Sequence, residues 1–167
     1  MIDVPKEKFI LDACCGGRMF WFNKHHPNTL YIDIRTTQKG YIKTHAGHEV
    51  KPDIVMDFRD LKFPNNSFKL VVFDPPHTFA STDNRNVLKQ YGSLNKVTWK
   101  EDIKKGFDEC WRVLDDYGVL VFKWFDKSIK VNDLIKVLGR TPLFGRRNPN
   151  TTIHTYWFCF MKIPEVG

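Results

Sequence analysis

The chain has 167 residues and a mass of 19.7 kDa, which suits one domain with a hydrophobic core and leaves no room for a second large module. Hydrophobic residues make up 42% of the sequence and aromatic residues 14%, so the composition excludes a disordered chain. The net charge of +7 is compatible with a polyanionic partner but does not establish one, because many basic proteins are merely soluble.

No segment has the features of a membrane span or a targeting signal. The longest apolar run, residues 118–122, is far shorter than the roughly 20 residues that cross a bilayer. The first eleven residues lack the basic start and apolar stretch of a secretory signal, so a cytoplasmic location is expected. The four cysteines lack metal-ligand spacing, and His25 and His26 adjoin no ligand cluster, so reduced thiols and no metal are expected.

Apolar runs alternate with longer amphipathic stretches along the chain, which predicts an α/β fold with a mainly parallel sheet. The predicted strands are Phe9–Ala13, Leu30–Ile34, Asp53–Met56, Leu70–Phe73, Gly118–Trp124 and Thr155–Lys162. Apolar stripes predict helices over Thr98–Leu114, with Thr98 and Glu101 as a capping box, and over Ser128–Leu138, ending at Gly139. Nothing divides the chain, so a single domain over residues 1–167 is expected.

The first predicted strand runs into small residues that could bring the backbone close to a ligand. Asp12-Ala13-Cys14-Cys15-Gly16-Gly17 forms this turn, and residues 18–23 are expected to begin a helix with an electropositive N-terminus. Asp33, at the end of the next strand, could accept hydrogen bonds from both ribose hydroxyls of an adenosine, and Asp57 could contact the adenine amino group. A dinucleotide is the rival ligand, but the glycine spacing of a pyrophosphate loop is missing.

These segments resemble class I S-adenosylmethionine-dependent methyltransferases. Residues 12–17 resemble the first motif of that family, Tyr31-Ile32-Asp33-Ile34 its acidic second-strand motif, and residues 57–68 the segment with the adenine-contacting acid. The likeness covers about residues 9–124 and departs from the family in the loop, where only Gly16 matches three usual glycines. It implies a Rossmann-like fold, with helices on both faces of the sheet and an antiparallel last strand, that binds S-adenosyl-L-methionine. The implied cofactor-binding residues are Asp12, Ala13, Cys14, Gly16, Asp33, Ile34, Asp57 and Phe58.

The fourth predicted strand ends in Asp74-Pro75-Pro76-His77, a turn that its two prolines make stiff. The Asp74 side chain and the Pro75 carbonyl could each accept one N–H of an exocyclic amine and stabilise the charge that develops on methyl transfer. His77 would stack on the target base or help to place it. Asp-Pro-Pro followed by an aromatic residue resembles the catalytic motif of amino-group DNA and RNA methyltransferases, and together with Cys14-Cys15-Gly16 it resembles small phage and prophage enzymes. The resemblance implies that Asp74, Pro75, Pro76 and His77 are catalytic and favours N6 of adenine over N4 of cytosine.

The substrate is expected to meet two loops that neighbour strand ends, residues 78–96 and residues 140–152. The candidate substrate-binding residues are Phe79 and Tyr91, which could stack on bases, and Lys123, Arg146 and Arg147, which could contact phosphates. Trp157 falls in the last predicted strand, where packing is expected.

A nucleic acid, DNA or RNA, is the expected partner. No membrane partner is expected, and a protein partner or a homodimer stays open. Two alternative functions also stay open: a methyltransferase that acts on a small-molecule or protein amine, and a non-catalytic binding module on the same fold.

Overall fold

The computed structural model describes residues 1–80, 85–145 and 154–164. The strands are β1 (Ile10–Asp12), β2 (Thr29–Asp33), β3 (Ile54–Val55), β4 (Phe68–Phe73), β5 (Leu114–Phe125) and β6 (Thr155–Met161). The helices are α1 (Arg85–Tyr91), α2 (Trp99–Val113) and α3 (Val131–Leu138), and Lys43–His45 forms one 3-10 turn. In the part of the chain described, no helix is long and apolar enough to cross a membrane.

The strands form one sheet in the order β3-β2-β1-β4-β5-β6, and every neighbouring pair is parallel except β5 and β6. The predicted fold class, a mainly parallel sheet with an antiparallel last strand, is confirmed. The chain runs outward from β1 in both directions, and ligands of open α/β sheets bind at such a switch point, outside the carboxyl ends of the strands. Asp12, Asp33, Asp57 and Asp74 all lie at this edge, at or just after the ends of their strands.

Burial along β5 has a period of two, which shows how the sheet sorts its side chains. Leu120, Phe122 and Trp124 are fully buried, whereas Lys123 between them is only partly buried on the other face. Helix α2 packs on the buried face against β4, β5 and α3. The core therefore lies under α2 and α3, and Lys123 faces away from it.

Helix α2 buries the stripe that its apolar period predicts, including Ile103, Phe107 and Cys110. It also buries Gly106, where an added Cβ would lie 2.4 Å from the Phe58 ring. The ring of Phe58 packs edge-on against Phe73, with centroids 5.1 Å apart. A glycine in the middle of the helix thus makes the space that holds Phe58 near the carboxyl edge of the sheet.

The helix expected at residues 18–23 is wrong, because these residues form turns. Arg18 has a left-handed backbone (φ 52°), which does not continue a right-handed helix. Its guanidinium donates to the carbonyls of Lys24 and Lys51, at 2.7 and 2.8 Å, and to Asp53 at 3.1 Å. Side-chain hydrogen bonds from Arg18, rather than a helix dipole, hold the segment that follows the first loop.

Three further local predictions need correction. Thr98 does not cap α2, because its hydroxyl donates to Asp102 Oδ2 at 2.7 Å instead of accepting from the first turn. Helix α3 begins at Val131 rather than at residue 128, after a turn in which Lys130 Nζ donates to the Asp126 carbonyl. Residues 78–96, expected to be a loop, contain α1. The end of α3 is confirmed, since Gly139 has the left-handed conformation (φ 69°) of a C-terminal cap.

Candidate active site

Two adjoining cavities lie at the carboxyl edge of the sheet, and both contact Cys14 and Arg35. The larger cavity, of about 490 Å³, is in the size range of sites for small organic ligands. Its lining includes five of the predicted cofactor-binding residues, namely Cys14, Asp33, Ile34, Asp57 and Phe58, and also Pro76. The smaller cavity, of about 180 Å³, lies between the loop after β1 and the turn after β4, and its lining includes Gly16, Asp74, Pro75, His77 and Lys123. The fold therefore brings the two predicted halves of the site together.

The loop after β1 bends across the end of β2. Gly16 has φ 47°, a left-handed conformation that favours glycine, and its N–H donates to Asp33 Oδ2 at 2.9 Å. Gly17 lies so close to His48 that an added Cβ would be 2.8 Å from Nε2. The backbone conformation thus favours glycine at position 16, and the close approach of His48 favours it at position 17.

Asp12 and Ala13 lie beneath this loop, and neither lines the cavities. The Asp12 carboxylate is fully buried and accepts hydrogen bonds from Trp21 Nε1 at 2.7 Å and from the Cys14 N–H at 3.3 Å. Burial raises the pKa of Asp12 to about 7, against the opposing effect of the Trp21 hydrogen bond. The position of Asp12 is that of a residue that shapes the loop from below.

Each acid that is expected to contact adenosine is paired with the arginine two residues later. Asp33 accepts the backbone N–H and Nε of Arg35 on Oδ1, at 2.9 and 3.0 Å, and Nη2 on Oδ2 at 3.1 Å. Asp57 is held in the same way by Arg59, whose Nη1 also donates to Asp102 at 2.7 Å. The hydrogen bond to Arg59 lowers the pKa of Asp57. The repeated pattern Asp-apolar-Arg, at residues 33–35 and 57–59, was a signal for both arginines.

Asp74, in the turn after β4, lines the smaller cavity and has one carboxylate oxygen without a partner among the described residues. Asp74 Oδ2 accepts a hydrogen bond from Lys123 Nζ at 2.7 Å, and both side chains are largely buried. Asp74 Oδ1 is buried and has no hydrogen-bond donor among the described residues. Buried acceptors are nearly always paired, so an unpaired oxygen here marks a place for a donor other than the described residues.

His77 closes one side of the smaller cavity. Its ring packs edge-on against Trp124 and Phe125, with centroids 6.1 and 5.5 Å away. Burial lowers the pKa of His77, so the ring is neutral at physiological pH. A neutral, packed imidazole is suited to positioning a planar ligand and unsuited to binding an anion.

The predicted substrate-binding residues lie in different places. Tyr91, at the end of α1, lines the smaller cavity and is 39% exposed, whereas Phe79 is half-buried and packs against the core. Lys123 is held in its ion pair with Asp74. Arg146 and Arg147, and most of residues 140–152, lie outside the described residues.

Two aromatic residues that were not among the predicted site residues meet beside the smaller cavity. Phe20 lines it, and the ring of Trp157 meets the Phe20 ring edge-on at 5.6 Å. Trp157, for which a packing role was expected, is 44% exposed. The prediction of a strand did not show on which face of the sheet Trp157 lies.

Among residues 1–80, 85–145 and 154–164, no three His, Cys, Asp or Glu side chains come together as ligands. All four cysteines are free thiols. Burial raises the pKa of Cys15 to about 12 and that of Cys14 well above its ordinary value, so neither ionises near neutral pH.

No protein-family model matches the chain, and no curated protein matches its sequence. Solved structures do match. The PH0226 protein of Pyrococcus horikoshii has a TM-score of 0.60 at 15% identity, with 92% of this chain and 81% of that one covered. A SAM-dependent methyltransferase from Methanosarcina mazei has a TM-score of 0.57 at 15% identity, with 93% and 92% covered.

A third match is the 1,6-didemethyltoxoflavin-N1-methyltransferase of Burkholderia thailandensis, solved with its substrate and S-adenosylhomocysteine. Its TM-score is 0.53 at 11% identity, with 93% of this chain and 71% of that one covered. Identities this low establish the fold and leave the activity to the residues of the site. The chain therefore has the Rossmann-like fold that S-adenosylmethionine-dependent methyltransferases share.

Proposed function

We propose that the chain is an S-adenosylmethionine-dependent methyltransferase that methylates an exocyclic amino nitrogen, namely N6 of adenine in a nucleic acid. The observation that carries the proposal is Asp74 Oδ1, a buried acceptor with no donor among the described side chains and backbone groups. An unpaired buried acceptor costs free energy, which an N–H group of a substrate would recover. Asp74 lines the smaller cavity together with Pro75 and His77, and that cavity also contacts the loop after β1.

The larger cavity fits the adenosine part of the cofactor. Asp33 and Asp57 would accept hydrogen bonds from the ribose hydroxyls and the adenine amino group, and Ile34 and Phe58 offer apolar surface beside them. Cys14 borders both cavities, so it marks the passage from the nucleoside end to the reacting end. When bound, S-adenosyl-L-methionine supplies an electrophilic methyl group.

The residues of the turn after β4 would activate the amine. An exocyclic amine on a purine is a weak nucleophile, because its lone pair is delocalised into the ring. If Asp74 Oδ1 and the Pro75 carbonyl each accept one N–H, the nitrogen can become pyramidal and its developing positive charge is stabilised. The methyl group would pass to the nitrogen with loss of S-adenosylhomocysteine, and Asp74, as the acceptor of one N–H, would take the proton that the methylated nitrogen releases.

The test uses the purified full chain with labelled S-adenosyl-L-methionine, total RNA and unmethylated DNA. We expect label in the polynucleotide and N6-methyladenine among the nucleosides identified by mass spectrometry. Asp74→Ala should lower the rate about 100-fold or more, as the loss of a preorganised transition-state contact does, while Asp116→Ala, at an exposed aspartate on β5, should not. Equal rates in the two variants would contradict the role of Asp74.

A small-molecule heterocyclic amine is the second candidate, because a cavity of about 180 Å³ is better suited to one ring than to a large substrate. The solved toxoflavin-type methyltransferase also acts on a heterocycle. Methylation of free adenine with none of RNA or DNA would favour this candidate. Binding to a polynucleotide would then lack the steep salt dependence that phosphate contacts produce.

A further inference from the structure

We propose that Phe20 and Trp157, together with Lys123, form the subsite that holds the target ring, and that Lys123 restricts the substrate to neutral, conjugated amines. This aromatic corner, defined by Phe20, Lys123 and Trp157, deepens the proposed function and rests on it. Phe20 and Trp157 would provide the surface on which the ring lies, and the charge of Lys123 would select the ring.

The aromatic corner is built by two strands and one loop. Lys123 and Trp157 are directly opposite each other in the β5–β6 pair, so their side chains leave the same face of the sheet. Phe20 arrives from the loop after β1 and meets Trp157 edge-on, with the ring planes 84° apart. Lys123 Nζ lies 5.6 Å from the Phe20 centroid and 5.7 Å from that of Trp157, within the range of cation–π attraction.

One ammonium therefore connects the aromatic rings with the proposed catalytic carboxylate. The same Lys123 Nζ that faces both rings donates to Asp74 Oδ2 at 2.7 Å. Since Oδ2 is occupied, Oδ1 is the acceptor that remains for a substrate N–H. We thus assign Lys123 as a positioning residue, which orients the carboxylate and leaves one oxygen free.

The exposure of Trp157 distinguishes it from its neighbours on β6. Tyr156 and Phe158, on either side, are each 5% exposed and face the core, whereas Trp157 is 44% exposed. A tryptophan that is accessible beside a cation and a carboxylate has the properties of a stacking surface for a planar ligand. Because Phe20 lines the smaller cavity and touches Trp157, this surface continues from the cavity outward.

The charge arrangement separates classes of amine. An aliphatic amine, such as a lysine side chain, carries a positive charge near neutral pH and would have to approach Asp74 next to the Lys123 ammonium. Lys123 already balances the charge of Asp74, so a second ammonium gains less from this carboxylate than from an unpaired one, and the Lys123 ammonium repels it. An amine conjugated to a heterocycle is neutral, offers N–H donors in the plane of its ring, and presents a π face to Trp157. The aromatic corner thus favours an aminated heterocycle, and a nucleobase above all.

The binding test uses single-stranded oligonucleotides with 2-aminopurine in place of adenine, since stacking quenches the fluorescence of this base. We expect the full chain with S-adenosylhomocysteine to quench the fluorescence. The variants Phe20→Leu and Trp157→Leu should each bind the oligonucleotide roughly 5- to 150-fold more weakly and quench its fluorescence less. Leucine keeps apolar volume, and unchanged S-adenosylhomocysteine affinity will show that the variants fold. Phe22→Ala is the matched control, because Phe22 is fully exposed and lines neither cavity. Equal quenching by the leucine variants and by the control would overturn the subsite.

A second test addresses Lys123. Lys123→Met should lower kcat on nucleic acid or free adenine by at least about ten-fold while S-adenosylhomocysteine affinity is unchanged, and Lys123→Arg should restore much of the rate, because arginine can still donate to Asp74. A lysine peptide offered to Lys123→Met should be methylated faster relative to adenine than by the unaltered chain. Wild-type kcat in Lys123→Met would overturn the positioning role.

The outcomes separate this inference from the function on which it rests. If the chain quenches 2-aminopurine through Phe20 and Trp157 but transfers no methyl group to any nucleic acid, the proposed function fails and the subsite stands. If methyl transfer to nucleic acid occurs and the leucine variants change neither KM nor quenching, the proposed function stands and the subsite fails.

Discussion

Replacing Arg35 with alanine would show whether the arginine competes with a ligand for Asp33. A carboxylate has about four hydrogen-bond acceptor sites, and the chain fills all of them at Asp33. Two are taken by the backbone N–H groups of Gly16 and Arg35, and two by the guanidinium of Arg35. For Asp33 to accept two ribose hydroxyls, the guanidinium must give up its two positions. Arg35 also donates to the Gln90 carbonyl in α1, at 3.3 Å, so its movement would break this hydrogen bond to α1.

The size of the effect follows from the burial of Asp33, which is 1% exposed. Removing one partner of a buried ion pair typically destabilises a protein by about 3–5 kcal/mol. Because two backbone N–H groups stay in place, we expect Arg35→Ala to lower the free energy of unfolding by a smaller amount, about 2–4 kcal/mol. Ribose hydroxyls would satisfy the freed acceptor sites. The variant should therefore bind S-adenosylhomocysteine about ten-fold more tightly, a gain of about 1.4 kcal/mol.

Urea unfolding with and without S-adenosylhomocysteine measures both quantities, and calorimetry gives the affinity directly. Arg140→Ala is the control, because Arg140 lies exposed over the Trp111 ring, 4.3 Å from its centroid, and lines neither cavity. It should leave the affinity unchanged. Ten-fold weaker binding by Arg35→Ala would refute the idea of competition and assign Arg35 a direct contact with the ligand.

Two further predictions concern residues that shape the site from behind. Burial raises the pKa of Asp12 to about 7, so the folded chain holds more protons than the unfolded chain between about pH 4 and pH 7. The contribution of Asp12 to the free energy of unfolding therefore falls as pH rises through that window, by at most about 4 kcal/mol. Asp12→Asn should lack this pH dependence, and urea unfolding at several pH values measures the difference; parallel pH profiles for the variant and the unaltered chain would contradict the raised pKa of Asp12. Gly106→Ala should weaken S-adenosylhomocysteine binding at least several-fold, since the added Cβ would lie 2.4 Å from the Phe58 ring and push that ring toward the larger cavity. Gly47→Ala is the control, with no atom within 4 Å of the added Cβ, and calorimetry showing equal affinities would remove Phe58 from the cofactor site.

Much of the cofactor side of the site could be predicted because its residues follow strands directly. Asp33 ends one apolar run and Asp74 directly follows another, and each run has the pattern of a strand. Parallel strands bring their carboxyl ends to one edge of the sheet. The arginine partners were visible in principle as well, because an Asp and an Arg two residues apart are near each other in any turn of this kind. The loop after β1 was harder. Its glycines indicated a close approach, but the expected helix at residues 18–23 fails because Arg18 makes long-range bonds that propensity does not register.

The sequence by itself determined the six strands, the helices α2 and α3 and the residues at the strand ends, because these depend on local patterns of apolar and turn-forming side chains. Only the tertiary structure decided which side chains meet across strands. Lys123 pairs with Asp74, 49 residues away, and faces Trp157 because β5 lies between β4 and β6 in a particular register. The physical reason is the alternation of side chains along a strand, since a shift of one residue would have turned both Lys123 and Trp157 to the opposite face.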